Sequence, residues 1–230
     1  MALRGKVIAV SGASGNLGQA CVEAARAAGA KVATLDRSDR GSIPADEDVL
    51  RLTGINLGEP ASANQAIAAV LDRFGRLDAV LNTVGGFAMG PVADTNISEW
   101  EQLHAMNCAT AVNLTRAAVP ALRTAGGGAI IHVGALAAFS APANLGAYAA
   151  SKAALHRLVE AAAAELRADG IRVNAVLPST IDTPQNRRAM PKADTSKWVS
   201  PGAIAEAMLM LADDAARAVT GALIPVTGRG

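Results

Sequence analysis

The fold is decided near the start of this 230-residue chain, by the stretch Lys6-Val7-Ile8-Ala9-Val10-Ser11-Gly12-Ala13-Ser14-Gly15-Asn16-Leu17-Gly18. Its apolar first part predicts a short buried strand that runs directly into a glycine turn. A helical stretch through residue 28, a stop at Gly29 and a second strand at Lys31–Leu35 follow. The order strand, glycine turn, helix, strand predicts one βαβ unit.

The three glycines of this turn predict a phosphate-binding site. They let the backbone turn tightly and approach a pyrophosphate, which would lie at the N-terminus of the following helix. The turn residues predicted to contact a cofactor are Gly12, Ser14, Gly15, Asn16, Leu17 and Gly18. A tight strand-to-helix turn without a ligand is the alternative interpretation.

Asp36 strengthens the nucleotide hypothesis. It closes the second strand, 24 residues after Gly12, where a carboxylate can accept hydrogen bonds from an adenosine ribose. Because a carboxylate repels a 2′-phosphate, Asp36 favours NAD(H) as the cofactor. Arg37, next in sequence, could instead pair with that phosphate, so NADP(H) stays an alternative.

Length and composition favour one α/β domain, residues 1–230. They give no indication of a nucleic-acid or membrane partner. The chain has 21 basic and 20 acidic residues and a formal net charge of +1. This balance gives no electrostatic reason to expect nucleic acid or a membrane surface. No apolar stretch approaches the roughly 18 residues of a membrane span.

The chain enters its first strand within six residues of Met1, so we expect no signal peptide. Its two cysteines, Cys21 and Cys108, fall in predicted helices and have no metal-ligand spacing. The three histidines are scattered, so we expect no metal site. The sequence therefore predicts a cytoplasmic protein with reduced cysteines.

Strands and helices alternate along the rest of the chain. Further strands are predicted at 50–57, 77–83, 129–134, 171–177 and 222–226, and helices at 61–73, 98–124 (with an early break as an alternative), 148–168 and 201–212. Ser98 and Glu101 predict a capping box at the third helix. Seven strands joined mostly by helices predict a doubly wound parallel sheet with helices on both faces and ligands at the carboxyl ends of the strands.

Tyr148, the only tyrosine, lies four residues before Lys152 in a predicted helix. Side chains at this spacing share one helix face. An ammonium beside a phenol is expected to lower the pKa of the phenol by roughly 1–3 units from about 10. Tyr148 would then exchange a proton near neutral pH. A solvated pair on a helix surface is the alternative interpretation.

In combination, these motifs resemble the short-chain dehydrogenase/reductase family over essentially the whole chain. The matching motifs are the glycine turn at 12–18, Asn82-Thr83-Val84-Gly85, Asn107 in the long helix, Tyr148 with Lys152, and Asn174-Ala175-Val176-Leu177-Pro178 leading to Ile181 and Thr183. The resemblance implies a Rossmann-type fold and an NAD(P)-dependent oxidoreductase. It implies that Tyr148 is the general acid/base, that Lys152 holds the nicotinamide ribose and lowers the tyrosine pKa, and that Asn107 anchors a relay water.

The strand-end residues expected to contact the cofactor are Asn56, Leu57, Asn82, Gly85, Pro178, Ile181 and Thr183. The substrate is expected to be a small molecule, and the residues expected beside it are Gly86, Ala135, Asn186 and Trp198. Residues 185–200 are expected to form a lid over it. The resemblance further implies a homodimer or homotetramer that pairs its two long helices.

Departures from the family pattern also carry information. The family serine would stand thirteen residues before Tyr148, and that position is Ala135. Asn16 stands at the usual middle glycine of the turn. The hydroxyl that usually donates to a substrate oxygen is therefore missing from its position.

One branch of the family, the dihydropteridine reductases, lacks this serine. The stretches 84–90 and 176–194, with Trp198 shortly after, resemble that branch. A dihydropterin is a conjugated, electron-poor ring that can accept hydride and a proton without a serine. The alternatives are a reductase of a small ketone or 3-oxoacyl thioester, and a dinucleotide-binding protein without turnover.

Overall fold

The computed structural model describes residues 3–38, 43 and 45–228. Its strands are β1 Val7–Ser11, β2 Lys31–Leu35, β3 Val49–Leu52, β4 Ala79–Asn82, β5 Gly128–Val133, β6 Ile171–Pro178 and β7 Leu223–Val226. Its α-helices are α1 Asn16–Ala27, α2 Pro60–Phe74, α3 Ile97–His104, α4 Thr110–Thr124, α5 Gly146–Glu165, α6 Pro184–Ala189 and α7 Pro201–Ala212. Among the described residues, no helix is both long and apolar enough to cross a bilayer.

The seven strands form one parallel sheet in the order β3-β2-β1-β4-β5-β6-β7. This confirms the doubly wound sheet predicted from the alternation of strands and helices. Strand β1 is flanked by β2 on one side and by β4 on the other, so the strand order reverses there. In such sheets, a crevice opens at the carboxyl ends of the strands beside this reversal.

The side chains of β1 show how the core is divided into two layers. Val7 and Ala9 pack into the layer that contains α2, α4 and α5. Ile8 and Val10 pack into the layer that contains α1 and α7. Because successive side chains of a strand point to opposite faces, an apolar strand buried on both faces supplies both layers.

The predicted long helix over 98–124 is interrupted early, as expected. A π-helical segment, Ala105–Ala109, separates α3 from α4. The predicted capping box was wrong by two residues: Asn96 is the N-cap, and the Glu99 carboxylate accepts its backbone N–H at 3.1 Å. The helix starts earlier because Asn96 supplies the extended backbone that an N-cap needs.

Two predicted elements extended too far at their C-terminal ends. Strand β3 ends at Leu52 and not at 57, because Gly54 takes a left-handed φ of 73° and turns the chain away from the sheet. Helix α5 starts at Gly146 and ends at Glu165, followed by a short 3₁₀ turn and Gly170 at φ 69°. Gly170 provides the left-handed backbone that commonly ends a helix.

Gly18 is required by the close approach of α1 to the turn that precedes it. A Cβ atom at this position would lie 2.7 Å from Ala13 Cα and would also overlap the Gly12 carbonyl. Both contacts are with backbone, which cannot move aside as a flexible side chain would. The third glycine of the turn is therefore a packing requirement of the fold itself.

We expect Gly18→Ala to lower the free energy of unfolding by about 2 kcal/mol or more, because it overpacks backbone against backbone. The matched control is Gly202→Ala in α7, where the added Cβ would lie 3.9 Å from its nearest neighbour. The control should be neutral or stabilising by up to about 1 kcal/mol. Urea unfolding measures both, and equal effects would contradict the packing argument.

Candidate active site

Tyr148 and Lys152 lie one turn apart on α5, as the spacing predicted. Lys152 is 4% exposed, and its Nζ donates to the carbonyl of Val133 at the end of β5, at 2.7 Å. The Tyr148 ring is partly buried and meets the Phe87 ring edge-on, with centroids 4.9 Å apart. The pair therefore sits at the carboxyl ends of the central strands, where the fold predicts a ligand.

The predicted effect of Lys152 on Tyr148 was wrong for the cofactor-free protein. Burial raises the pKa of Tyr148 to about 12. Burial also lowers the pKa of Lys152 to about 8. Spacing brings the two residues together, but both lose water, and desolvation disfavours the charged form of each. Tyr148 therefore keeps its proton at neutral pH.

Asn107 joins three parts of the site. Its Oδ1 accepts the Gly86 N–H at 2.8 Å, while its Nδ2 donates to the Gly86 carbonyl at 3.0 Å and to Ser151 Oγ at 2.9 Å. Ser151 Oγ in turn donates to the Tyr148 carbonyl at 2.7 Å. Both amide protons of Asn107 are therefore engaged within the protein, and its role as a water anchor stays a prediction.

Gly85 brings the loop after β4 close to this network. A Cβ atom here would lie 2.9 Å from Asn107 Oδ1 and 3.2 Å from Lys152 Nζ. The space beside Gly85 is therefore occupied by the two polar side chains that the sequence singled out. The predicted site residues Gly85, Gly86, Asn107 and Lys152 converge here.

The predicted nucleotide side of the crevice is also assembled. The Ser14 N–H donates to Asp36 Oδ2 at 2.7 Å, which ties the glycine turn to the end of β2. Gly12 adopts φ 66°, and Gly15 is the N-cap of α1. Asn16 and Leu17 open that helix, and their N–H groups lie at its positive end. A pyrophosphate fits this donor set, and Asp36 Oδ1 accepts from the Ser38 N–H at 3.4 Å.

Arg37 and Asn56 lie beside each other at the rim of this region. Arg37 is exposed, and its Nη2 is 3.4 Å from Asn56 Oδ1. The Asn56 amide also donates to Glu59 Oε1 at 2.7 Å. Leu57 is buried and uses its carbonyl to accept from Asn113. Asn56 and Leu57 therefore shape the turn before α2 and do not lie at the end of a strand.

Asn82 supports the crevice from below. It is 2% exposed, and its Oδ1 accepts the hydroxyl of Ser11 at 2.6 Å. Its Nδ2 lies 3.0 Å from Nδ1 of His132, which is fully buried. The three side chains belong to β1, β4 and β5, so Asn82 ties together the carboxyl ends of the central strands.

The predicted lid region begins with a compact turn. Ile181 forms a β-bridge with Val199, and Thr183 caps α6 by accepting the Asn186 N–H at 3.1 Å. The Asn186 side chain donates to the Ile181 carbonyl at 2.8 Å, so its amide binds its own loop. Trp198 is partly buried, and Pro178 ends β6. Asn186 therefore braces its own loop, while its substrate role and the lid stay predictions.

Sequence reasoning missed three side chains of the site. Ser151 directly precedes Lys152, and its hydroxyl closes the Asn107 network. Phe87 was noted only as part of a motif. His156 is buried four residues after Lys152, and that spacing could have placed it on the same helix face.

Comparison with known proteins agrees with this geometry. A family model described as Enoyl-(Acyl carrier protein) reductase matches residues 12–228. The chain belongs to the short-chain dehydrogenase/reductase family. It is accordingly an NAD(P)-dependent oxidoreductase, as its sequence predicted.

Curated relatives match almost the whole chain. It is 30% identical to D-threitol dehydrogenase of Mycolicibacterium smegmatis, over 98% of this chain and 93% of the relative. It is 32% identical to 2,5-dichloro-2,5-cyclohexadiene-1,4-diol dehydrogenase of Sphingobium indicum, over 98% of this chain and 96% of the relative. Both relatives are named as dehydrogenases, but of different substrates. The resemblance to the dihydropteridine reductase branch stays a prediction.

A solved structure confirms the fold. A short-chain type dehydrogenase/reductase from Mycobacterium ulcerans superposes with a TM-score of 0.91 at 23% sequence identity. The superposition covers 100% of this chain and 90% of the other. The sheet and its flanking helices are therefore those of this family.

The buried Lys152 predicts a specific dependence of stability on pH. Because its folded pKa of about 8 lies below the ordinary 10.5, the unfolded chain binds more protons between these values. The stability of the wild type relative to Lys152→Met should therefore rise by about 3 kcal/mol as pH increases through this window. It should be flat below the window.

Urea unfolding of the cofactor-free proteins at several pH values measures this difference. Tyr148 is present in both proteins, so its own titration largely cancels. The hydrogen bond to Val133 is lost at every pH and shifts only the baseline. A difference that does not change across the window would show that Lys152 is not desolvated.

Proposed function

We propose that this enzyme reduces a conjugated ring of the dihydropterin type, with Tyr148 as the proton donor and NADH as the preferred reductant. The observation that carries the proposal is the set of groups around Tyr148. The Asn107 amide and the Ser151 hydroxyl are engaged with each other, and Ala135 brings only a methyl group. A substrate that needs a single donor fits this arrangement.

The protonation state of Tyr148 favours the reductive direction. With a pKa of about 12, its hydroxyl carries a proton at neutral pH and can donate it to the substrate. When bound, a nicotinamide dinucleotide supplies the hydride. The glycine turn and Asp36 would hold its pyrophosphate and ribose, and Lys152 would face the nicotinamide ribose.

The loop after β4 supplies an apolar rim to the crevice. Phe87 and Met89 are each 62% exposed, and Phe87 contacts the Tyr148 ring. Large exposed apolar side chains beside a polar site are typical of a ligand-binding surface. A flat ring could stack on Phe87 with its acceptor atom directed at Tyr148.

A second candidate is a reductase of a ketone or 3-oxoacyl thioester, or the reverse oxidation of an alcohol. The relatives named as dehydrogenases of a polyol and of a cyclohexadiene diol favour it. In that reaction, water or backbone would replace the missing serine hydroxyl. Ala135 then becomes the position at which the two candidates are separated.

The assay is oxidation of NADH with quinonoid dihydropterin, beside a panel of ketones and thioesters. We expect turnover of the pterin and a fall in kcat of about 10²–10⁴-fold in Tyr148→Phe, because the proton donor is lost. The dissociation constant for NADH should be unchanged in the Tyr148→Phe variant. Turnover of ketones alone would contradict the pterin proposal, and cofactor binding without any turnover would favour a non-catalytic protein.

Ala135→Ser is the matched variant for substrate choice. It restores a hydroxyl at the family position and should raise activity on ketones while leaving pterin turnover unchanged. If wild-type ketone turnover is already fast and the serine adds nothing, a backbone or water donor replaces it. The second candidate would then be preferred.

Asp36 predicts the choice of cofactor. We expect Asp36→Ala to weaken NADH binding by about tenfold or more, since a charged acceptor of ribose hydrogen bonds is lost. Its effect on NADPH should be smaller, because the repulsion of the 2′-phosphate is lost as well. Fluorescence titration with both cofactors measures the ratio, in which shared effects through Ser14 cancel.

Arg37→Gln is the control for this prediction. Arg37 is exposed, so its removal should spare the fold and NADH binding. A wild type that binds NADPH more tightly, and loses this preference in Arg37→Gln, would show that Arg37 and not Asp36 sets the cofactor.

We also propose that the enzyme is a cytoplasmic homodimer or homotetramer. A shallow groove of about 410 Å³ runs between α3 and α5 and is lined by Trp100, Glu101, His104, Ala105, Ala109, Ala147, Ala150 and Ser151. Its small and aromatic side chains allow a second helix to approach closely.

Residues 185–200 would close over the substrate, anchored at one end by the ion pair of Arg187 with Asp182 at 2.6 Å.

A further inference from the structure

His156 is a buried histidine that the proposed reaction does not use. It lies one turn beyond Lys152, so Tyr148, Lys152 and His156 follow one another along a single face of α5. The side chain is 1% exposed. Its Nε2 lies 3.4 Å from the backbone N of Ala135, in the loop that follows β5.

The direction of this contact fixes the state of the ring. A backbone N–H can only donate, so Nε2 must be the bare nitrogen and the imidazole must be neutral. Burial and the charge of Lys152 lower the pKa of His156 to about 4, which agrees with a neutral ring. His156 therefore accepts from Ala135 throughout the neutral pH range.

The absence of a side chain at Gly134 leaves room for the His156 ring. A Cβ atom at this position would lie 2.5 Å from His156 Nε2 and would also overlap the end of Leu177. The imidazole fills the space that a side chain at 134 would need. The chain therefore combines a glycine in the loop with a bulky acceptor on the helix.

The histidine also supports an exposed aromatic ring. Phe139 packs against His156 with ring centroids 5.2 Å apart and an interplanar angle of 53°. Phe139 is 59% exposed, so one side of its ring rests on His156 and the other is open. The loop from Ala135 to Phe139 is thus held at both ends by the same side chain.

We propose that His156 is a positioning residue that sets substrate specificity: it fixes the Ala135 backbone and seats Phe139, so that this loop presents an apolar wall to a flat ring. The inference rests on the proposed function only in treating the loop as a wall of the substrate site. The tether itself follows from the contacts of His156 with Ala135, Gly134 and Phe139.

The kinetic test compares His156→Leu, which removes the acceptor, with His156→Gln, which keeps one. We expect His156→Leu to raise KM for the ring substrate about five- to tenfold, the size of one lost hydrogen bond. The value of kcat should change less, and NADH affinity should be unchanged. His156→Gln should recover most of the loss.

A substrate-independent test uses imidazole ¹⁵N NMR, with His156 assigned by its absence in His156→Gln. We expect Nε2 to be unprotonated at neutral pH. The second measurement is a stability cycle: Gly134→Ala should destabilise the wild type markedly and the His156→Ala protein less.

These outcomes separate the two proposals. A protonated Nε2, or additive effects of Gly134→Ala and His156→Ala, would overturn the tether even if the pterin assay succeeds. An unchanged KM in His156→Leu would overturn the specificity role. If no substrate is turned over, the NMR and stability measurements still decide whether His156 holds the loop.

Discussion

The arrangement of this site depends on a buried ammonium. Lys152 is almost fully buried, and its Nζ donates to the Val133 carbonyl at the end of β5. Burying a charge in this way is costly unless it is hydrogen-bonded. The hydrogen bond to Val133 offsets part of this desolvation cost, and it also aligns α5 with the carboxyl end of the sheet. That alignment in turn places Tyr148, one turn earlier, over the crevice.

A network of neutral hydrogen bonds holds the rest of the site around this helix. Asn107 binds both backbone groups of Gly86 and the hydroxyl of Ser151. The π-helical segment places Asn107 at the junction of the β4 loop and α5. Because three separate elements meet at one side chain, its removal would take a partner from both Gly86 backbone groups and from the Ser151 hydroxyl.

The sequence could predict elements and their order but not the partners of each side chain. Alternation of apolar runs with helices predicted the sheet, and the spacing of Tyr148 and Lys152 predicted their shared face. The fully buried contacts of Asn82 with Ser11 and His132 join residues 71 and 50 positions apart, which no local pattern reveals. The predicted direction of the Tyr148 pKa shift was wrong for the same reason, because burial is a property of the assembled fold.

Ala135, Gly134 and His156 form one local arrangement. An alanine alone would leave the loop without a polar side chain to fix it. A histidine alone would collide with any side chain at 134. Position 135 carries no hydroxyl that could bind substrate, and the His156 acceptor binds the loop's own backbone. In the role proposed for this loop, it would present an apolar face to the substrate, so selectivity would depend on ring shape and on the single proton of Tyr148.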